Sequence, residues 1–270
     1  MSARFARATG DLLQQYLQRP IDARMLVVYV DAIFLGSHAI VVALGVDRAG
    51  RKQVLGMREG STENAAVTVT LLEDLAARGL HACQGLLFVV DGSKAIASAV
   101  TQVFGEHALV HRHKLHKRRN VVEHLPKREQ GWVNLRLSTA WAQGDAVRAQ
   151  QDLEALAKEL DVKYPGAAGS LREGLEQTLT VLKLGLPAQL RRGLRTTNAI
   201  EALNSQLRAT VRRVSRFTTG DQVLRWAAVA ALRVEPHLFA SPATATRRSW
   251  PRHSRSTPVA SMKLQPVRAR

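Results

Sequence analysis

The sequence predicts an α/β protein: a mixed five-stranded sheet with helices, interrupted by an α-helical insertion. Three observations carry that expectation. Apolar runs rich in Val, Ile, Tyr and Phe recur at 25–35, 40–46, 52–57 and 86–90, with turn residues between them. Apolar residues take up helical spacing between the third and fourth runs, at 64–78. From about 112 to 195 strand signals all but vanish.

Each element has a local reason. Asp11–Gln18 reads as the end of a helix, broken at Pro20, within a short leading segment 1–24. Met25–Leu35 is a strand and Gly36-Ser37 a turn. Ile40–Val46 and Lys52–Met57 form a hairpin around Asp47-Arg-Ala-Gly50. The helix at 64–78 places Val67, Leu71, Leu72 and Leu75 on one stripe and stops at Gly79, a C-cap. Leu86–Val90 returns as a strand, a helix follows Gly92, and a short strand falls near Ala108–His111. Hairpin-joined strands followed by a helix and a parallel strand is the opening order of an RNase H-like core, first part 25–111. The insertion, 112–195, holds a helix at Ala140–Leu160 and another at Leu171–Leu184, bounded by Pro165-Gly166 and Gly185-Leu-Pro187. Core helices resume at 196–236: Asn198–Arg216 carries Ile200, Leu203, Leu207, Val211 and Val214 on a stripe suited to packing on the sheet. The tail, 237–270, rich in Pro, Ser and Arg, has no periodicity and reads as disorder, or as the readout of a shifted frame.

Asp31 stands inside the first apolar strand, where an ionised carboxylate costs several kcal/mol unless a cation or donors meet it. Asp91 ends the fourth strand. Two strands delivering carboxylates to one place point to a metal site of the kind that cuts or joins phosphodiesters. The bland alternatives are a hydrogen-bonded bulge at Asp31 and an ordinary strand-to-helix turn at Asp91-Gly92. Glu201, Asn204 and Arg208 share a helix face, so a carboxylate, an amide and a guanidinium are available together for a metal and a phosphate. Asn198 and Glu201 also have capping-box spacing, and the two roles are compatible.

Composition narrows the classes. The 270 residues carry 39 Lys and Arg against 22 Asp and Glu, a net charge of +17. That excess points to a polyanionic partner, because neutralising phosphates releases counterions. Seven of the basic residues lie at 241–270 without an acid, leaving +10 on the rest. Aromatics are 5%, too few to support a stacking platform for single strands. No stretch approaches the ~18 uncharged residues of a membrane helix, and the start does not read as a secretory signal. The single Cys83 excludes an internal disulfide framework or a cysteine zinc cage, consistent with a reducing cytoplasm.

Five segments resemble, in order, those of the Mutator family of bacterial insertion-sequence transposases. They are Tyr29-Val-Asp-Ala-Ile33, Val46–Gly56, Leu75–Leu80 with Val90-Asp-Gly-Ser-Lys94, Val110–Asn120, and Thr197–Arg208, a span of about 20–235. The resemblance implies a DDE transposase with Asp31, Asp91 and Glu201 as the catalytic, metal-binding triad. It further implies two Mg²⁺ (or Mn²⁺) ions, cleavage at the element's ends and strand transfer into target DNA. Double-stranded DNA is then the partner, with a homodimer or higher assembly on it in the nucleoid. Three clustered carboxylates repel unless cations neutralise them, which agrees with such ions.

Two departures stand out. The family carries Cys, two residues, then His in the basic segment; here His113 takes the place of Cys, and His116 is kept. His116 is then an assisting active-site residue, or His111–Arg119 is a solvated basic helix lying along DNA. Lys114, Lys117, Arg118 and Arg119 are expected phosphate contacts on either view, with Asn204, Arg208, Arg212, Arg213 and Arg216 on the later helix. The family's long helical region for terminal-repeat recognition has only about 24 residues here to correspond to it, so specific end recognition is expected to be missing. The alternatives are an inactive remnant that only binds DNA, and an RNase H-like nuclease without joining activity.

Overall fold

A computed structural model describes residues 10–11, 13–21, 25–47, 49–60, 65–82, 85–185, 198–212, 214, 217 and 219–238, with the side chain of Asn198 outside that set. The sheet is formed by β1 (Met25–Leu35), β2 (His38–Asp47), β3 (Lys52–Gly60), β4 (Leu87–Val90) and β5 (Leu109–Arg112). Their order is β3-β2-β1-β4-β5. The first three strands pair antiparallel, as hairpin connections dictate, while β4 runs parallel to β1 and β5 parallel to β4. The parallel steps pass through α1 (Ala65–Ala77) and α2 (Lys94–Phe104), the crossovers that parallel pairing requires.

Strand alternation divides the sheet into two buried faces. Val27, Tyr29 and Ile33 point to one face, where Ile200, Leu203 and Leu207 of α8 (Asn198–Val211) and Val223 and Ala227 of α9 (Gly220–Val234) pack. Val28 and Val30 point to the other, against Leu71, Leu72 and Leu75 of α1 and Ile96 and Val100 of α2. Covering on both faces is what the unbroken apolar runs of β1 and β4 require. The parity of Asp31 sets it on the α8 side.

Between β5 and residue 185 every described regular element is helical: α3 (Lys114–Glu123), α4 (Lys127–Ala142), α5 (Ala146–Asp161), α6 (Pro165–Arg172) and α7 (Leu175–Lys183). They enclose a separate core around Val133, Leu137, Leu153, Leu156, Leu171 and Leu179. The helix expected at Ala140–Leu160 is two helices. The carboxylate of Asp145 accepts from Val147 N and Arg148 N at 2.7 and 2.9 Å, capping α5 and ending the run from α4. The helix expected at Leu171–Leu184 is likewise split, at Gly174, whose φ of +64° is left-handed. Pro165 opens α6 at its first turn, where its missing N–H costs nothing. The proposed tail, the N-cap of α8 and Arg216 lie outside the described residues.

Candidate active site

Register alone gathers the first part of the site. Val30 pairs with Val90, and Val90 with Arg112. One residue further along stand Asp31, Asp91 and His113, a row past the carboxyl ends of β4 and β5 and part-way along the longer β1. That end of such a sheet is where ligands usually sit. Alpha helix α8 crosses the same end. The side-chain amide of Asn204 donates from Nδ2 to Asp31 Oδ2 at 2.7 Å, and Asn204 is 2% exposed. Glu201 lies one turn before it and Arg208 one turn after.

The carboxylates are held and strained electrostatically. Asp31 Oδ1 accepts from the Ala32 amide at 2.9 Å, and Asp91 Oδ1 from the Ser93 amide at 2.8 Å. Burial, and next the charge of Asp91, push the Asp31 carboxyl up to about 6, against the opposing pull of His116, the Ala32 amide and Arg208. His116 joins the third acid to this pair: ligand atoms of His113, His116 and Glu201 all lie within 4.8 Å of one another. The two imidazole rings meet edge to face at 5.5 Å between centroids. Asp91 and His116 thus both act on Asp31, and His116 in turn stands beside Glu201. The repelling carboxylates of Asp31 and Asp91 are chemically suited to a hard divalent cation.

Packing around Asp91 is close. A Cβ on Gly92 would come within 2.8 Å of Asn120 Nδ2, so α3 approaches the end of β4 closely there. Arg112, 2% exposed, donates to Gly92 O at 2.6 Å and to Glu173 Oε1 at 2.8 Å. Lys117, 1% exposed, donates to Ser170 O and reaches Glu173 Oε2 at 3.5 Å. Burial lowers the Lys117 ammonium's pKa, with Glu173 opposing. Burial pushes Glu173 the other way, but Arg112 and Lys117 hold its carboxyl below the usual range.

These contacts correct the reading of 111–119 as a solvated basic helix. His111 and Arg112 belong to β5. Burial drives His111 down to about 3, so it is neutral, and its Nδ1–H donates to Gln177 O at 3.0 Å. Lys114 and Lys117 are buried, their Nζ atoms directed at Trp141 O and Ser170 O, so neither presents a phosphate contact. Arg118 donates to Ser138 Oγ at 2.9 Å, and Arg119 is exposed. Asn204 is engaged with Asp31 rather than exposed to DNA. Arg208 and Arg212 are exposed and line an open cleft of about 730 Å³ with Phe34, Ser37 and Phe217. Arg213 lies outside the described residues. Glu173 and the metal-type grouping of His113 escaped sequence reading; the sole signal for Glu173 was an acid beside Gly174 within the expected helix Leu171–Leu184.

Comparison with known proteins places this arrangement in a class. The family model described as "Transposase, Mutator family" matches residues 3–237. The chain belongs to that family. It is 31% identical over 232 residues to the transposase for insertion sequence element ISRM5 of Rhizobium meliloti (strain 1021), covering 86% of this chain and 56% of the relative. It is 33% identical over 218 residues to the transposase for ISRM3 of the same organism, covering 77% and 53%. With the transposase for IS6120 of Mycolicibacterium smegmatis it shares 30% identity over 217 residues, 74% of this chain and 63% of the relative. The chain thus spans little more than half the length of the first two relatives. Among the described residues no helix is long and apolar enough to cross a membrane.

Proposed function

We propose that this chain is the catalytic part of a DDE transposase that cleaves insertion-sequence ends in double-stranded DNA and transfers the strand to a target. On this reading the sheet, with its helical insertion, is an RNase H-like core, and Asp31, Asp91 and Glu201 hold two Mg²⁺ (or Mn²⁺) ions. The supporting observation is a buried carboxyl on β1, raised by its neighbour on β4 and within electrostatic reach of His116, which itself stands beside Glu201 on α8. When bound, the ions supply Lewis acidity that activates water, and then a 3′ hydroxyl, for in-line attack at phosphorus.

The protein's own groups do the positioning. Asn204 and the Ala32 amide fix both oxygens of Asp31, and the Ser93 amide fixes one oxygen of Asp91. Arg208, exposed and close enough to influence Asp31, takes a backbone phosphate beside the carboxylates. His116 offers a ring N–H to a phosphate or leaving oxygen. Arg212 and Arg119 extend the basic lining, and the protein works on DNA as a homodimer or larger assembly.

Nicking of supercoiled plasmid in Mg²⁺ or Mn²⁺ tests the proposal. Asp31→Asn, Asp91→Asn and Glu201→Gln are each expected to lower the rate by ~100-fold or more, as loss of a group stabilising transition-state charge does. Equal nicking by all four proteins overturns it and leaves a DNA-binding protein. A labelled 3′ end joined to target separates strand transfer from simple hydrolysis.

A further inference from the structure

We propose that His113, His116 and Glu201 form a nitrogen-rich site for one borderline divalent transition ion, Zn²⁺ or Co²⁺, distinct in preference from an all-oxygen Mg²⁺ site. The proposal deepens the reading of Glu201 as the third acid and rests on it for any consequence in DNA cleavage.

Geometry is the first argument. Three ligand atoms from two separate helices fall within 4.8 Å of each other. Ligands set tetrahedrally round one ion at ~2.1 Å stand ~3.4 Å apart, so a pair at the upper limit closes by ~1.4 Å, shared between two side chains. His113 sits at the N-cap of α3 and His116 three residues on, so one helix start presents both rings. That start is rigid. The His113 amide donates to Val90 O at 2.9 Å, tying it to β4, and Lys117 anchors the next turn to Ser170 and Glu173. A preorganised pair of imidazoles lowers the ordering cost of capturing an ion.

Ligand chemistry is the second. Imidazole suits Zn²⁺, Cu²⁺, Fe²⁺ and Ni²⁺, whereas Mg²⁺ strongly prefers oxygen and octahedral water. Two nitrogens and one carboxylate make a three-ligand set of the type that keeps open positions. The burial pattern fits: His113 is 3% exposed and His116 is intermediate, while Glu201 is exposed. The open side of an ion held there faces solvent, and Asp31 lies within electrostatic reach of His116. An ion in this position therefore adds positive charge next to Asp31 and Asp91 without needing either as a ligand. The competing account is that the three side chains are a hydrogen-bonded cluster that takes no ion.

Co²⁺ titration of the EDTA-treated full chain, followed by visible ligand-field absorption, distinguishes the two. One equivalent of Co²⁺ is expected to bind with strong bands. Zn²⁺ is expected to displace it at equimolar concentration, and Mg²⁺ to fail at ~1000-fold excess, in line with the affinity order for nitrogen ligands. His113→Ala, His116→Ala and Glu201→Gln are each expected to weaken binding by ~1000-fold, beyond the 10–100-fold range for residues that only orient ligands. Asp31→Asn and Asp91→Asn should retain Co²⁺ within about tenfold. If buried His113→Ala does not fold by circular dichroism, His116→Ala and exposed Glu201→Gln decide the matter. Unchanged Co²⁺ binding in those variants, or equal competition by Mg²⁺, overturns the site whatever the plasmid assay gives. Histidine-dependent Co²⁺ binding without any plasmid nicking leaves the site standing and overturns the transposase reading.

Discussion

Asp31 is where a single side chain controls most. Its carboxyl sits at about 6 because burial and Asp91 both disfavour the charge. The sign follows from linkage: a carboxyl raised in the folded state binds its proton more tightly there than in the unfolded chain. Its contribution is most favourable below the unfolded value near 4 and is lost as pH rises through about 6. In metal-free protein at neutral pH the ionised group therefore costs stability, up to ~3 kcal/mol before relaxation. Asparagine at this position removes the charge. It also finds a partner, since Asn204 Oδ1 is buried without one and a turn of that amide presents it to the new N–H. Asp31→Asn is accordingly expected to raise Tm in EDTA at pH 7.5 by ~2 °C or more while abolishing nicking. The gain should shrink as pH falls below 5. A melt in which the variant is less stable at pH 7.5 sinks this account of Asp31.

At the scale of elements, the clamp on Glu173 joins sheet to helical layer. Arg112 comes from β5, Lys117 from α3, and Glu173 from the turn between α6 and α7, where Gly174 allows the left-handed backbone. A Cβ at Gly174 would strike the Arg112 guanidinium. Two nearly buried cations depend on one carboxylate whose side chain is 32% exposed. Breaking a fully buried pair costs ~3–5 kcal/mol, and solvent access at Glu173 discounts that to ~2–3 kcal/mol. Glu173→Gln is expected to lower Tm by ~5 °C and to speed proteolysis between α6 and α7. An unchanged melt removes the clamp from the argument. The same elements explain what sequence reasoning could and could not reach. Strands β1 to β5 were readable because β-branched apolar runs are a local signal, and the stripe on α8 identified its packing face. Asp31 and Asp91 were readable because a carboxylate in such a run demands a reason. Lys114 and Lys117 misled because a lysine's direction depends on acceptors 27 and 53 positions away, Trp141 O and Ser170 O. The helix breaks at Asp145 and Gly174 were missed because each rests on one cap or one backbone angle inside otherwise continuous helical spacing.

For the whole molecule, the question is how +17 is distributed relative to the site. Burial of Arg112, Lys114 and Lys117 removes three cations from the surface, while Arg119, Arg208 and Arg212 remain exposed. The 241–270 segment adds seven further cations and no acid. If those seven each meet a phosphate, each contributes ~0.9 to the slope of log affinity against log salt. Replacing all seven with glutamine is then expected to reduce the slope by up to ~6 and weaken binding to arbitrary duplex at low salt. Arg208→Ala and Arg212→Ala should each reduce it by only ~1, yet Arg208→Ala should also slow nicking at saturating DNA, because that residue lies beside Asp31. Filter binding on duplexes of unrelated sequence, at several salt concentrations, measures both quantities. An unaltered slope after removal of the seven charges means that this segment, 7 of the 17 net charges, serves something other than DNA. In that case the proposed hold on a duplex rests on the rest of the chain, with Arg119, Arg208 and Arg212 among its exposed cations.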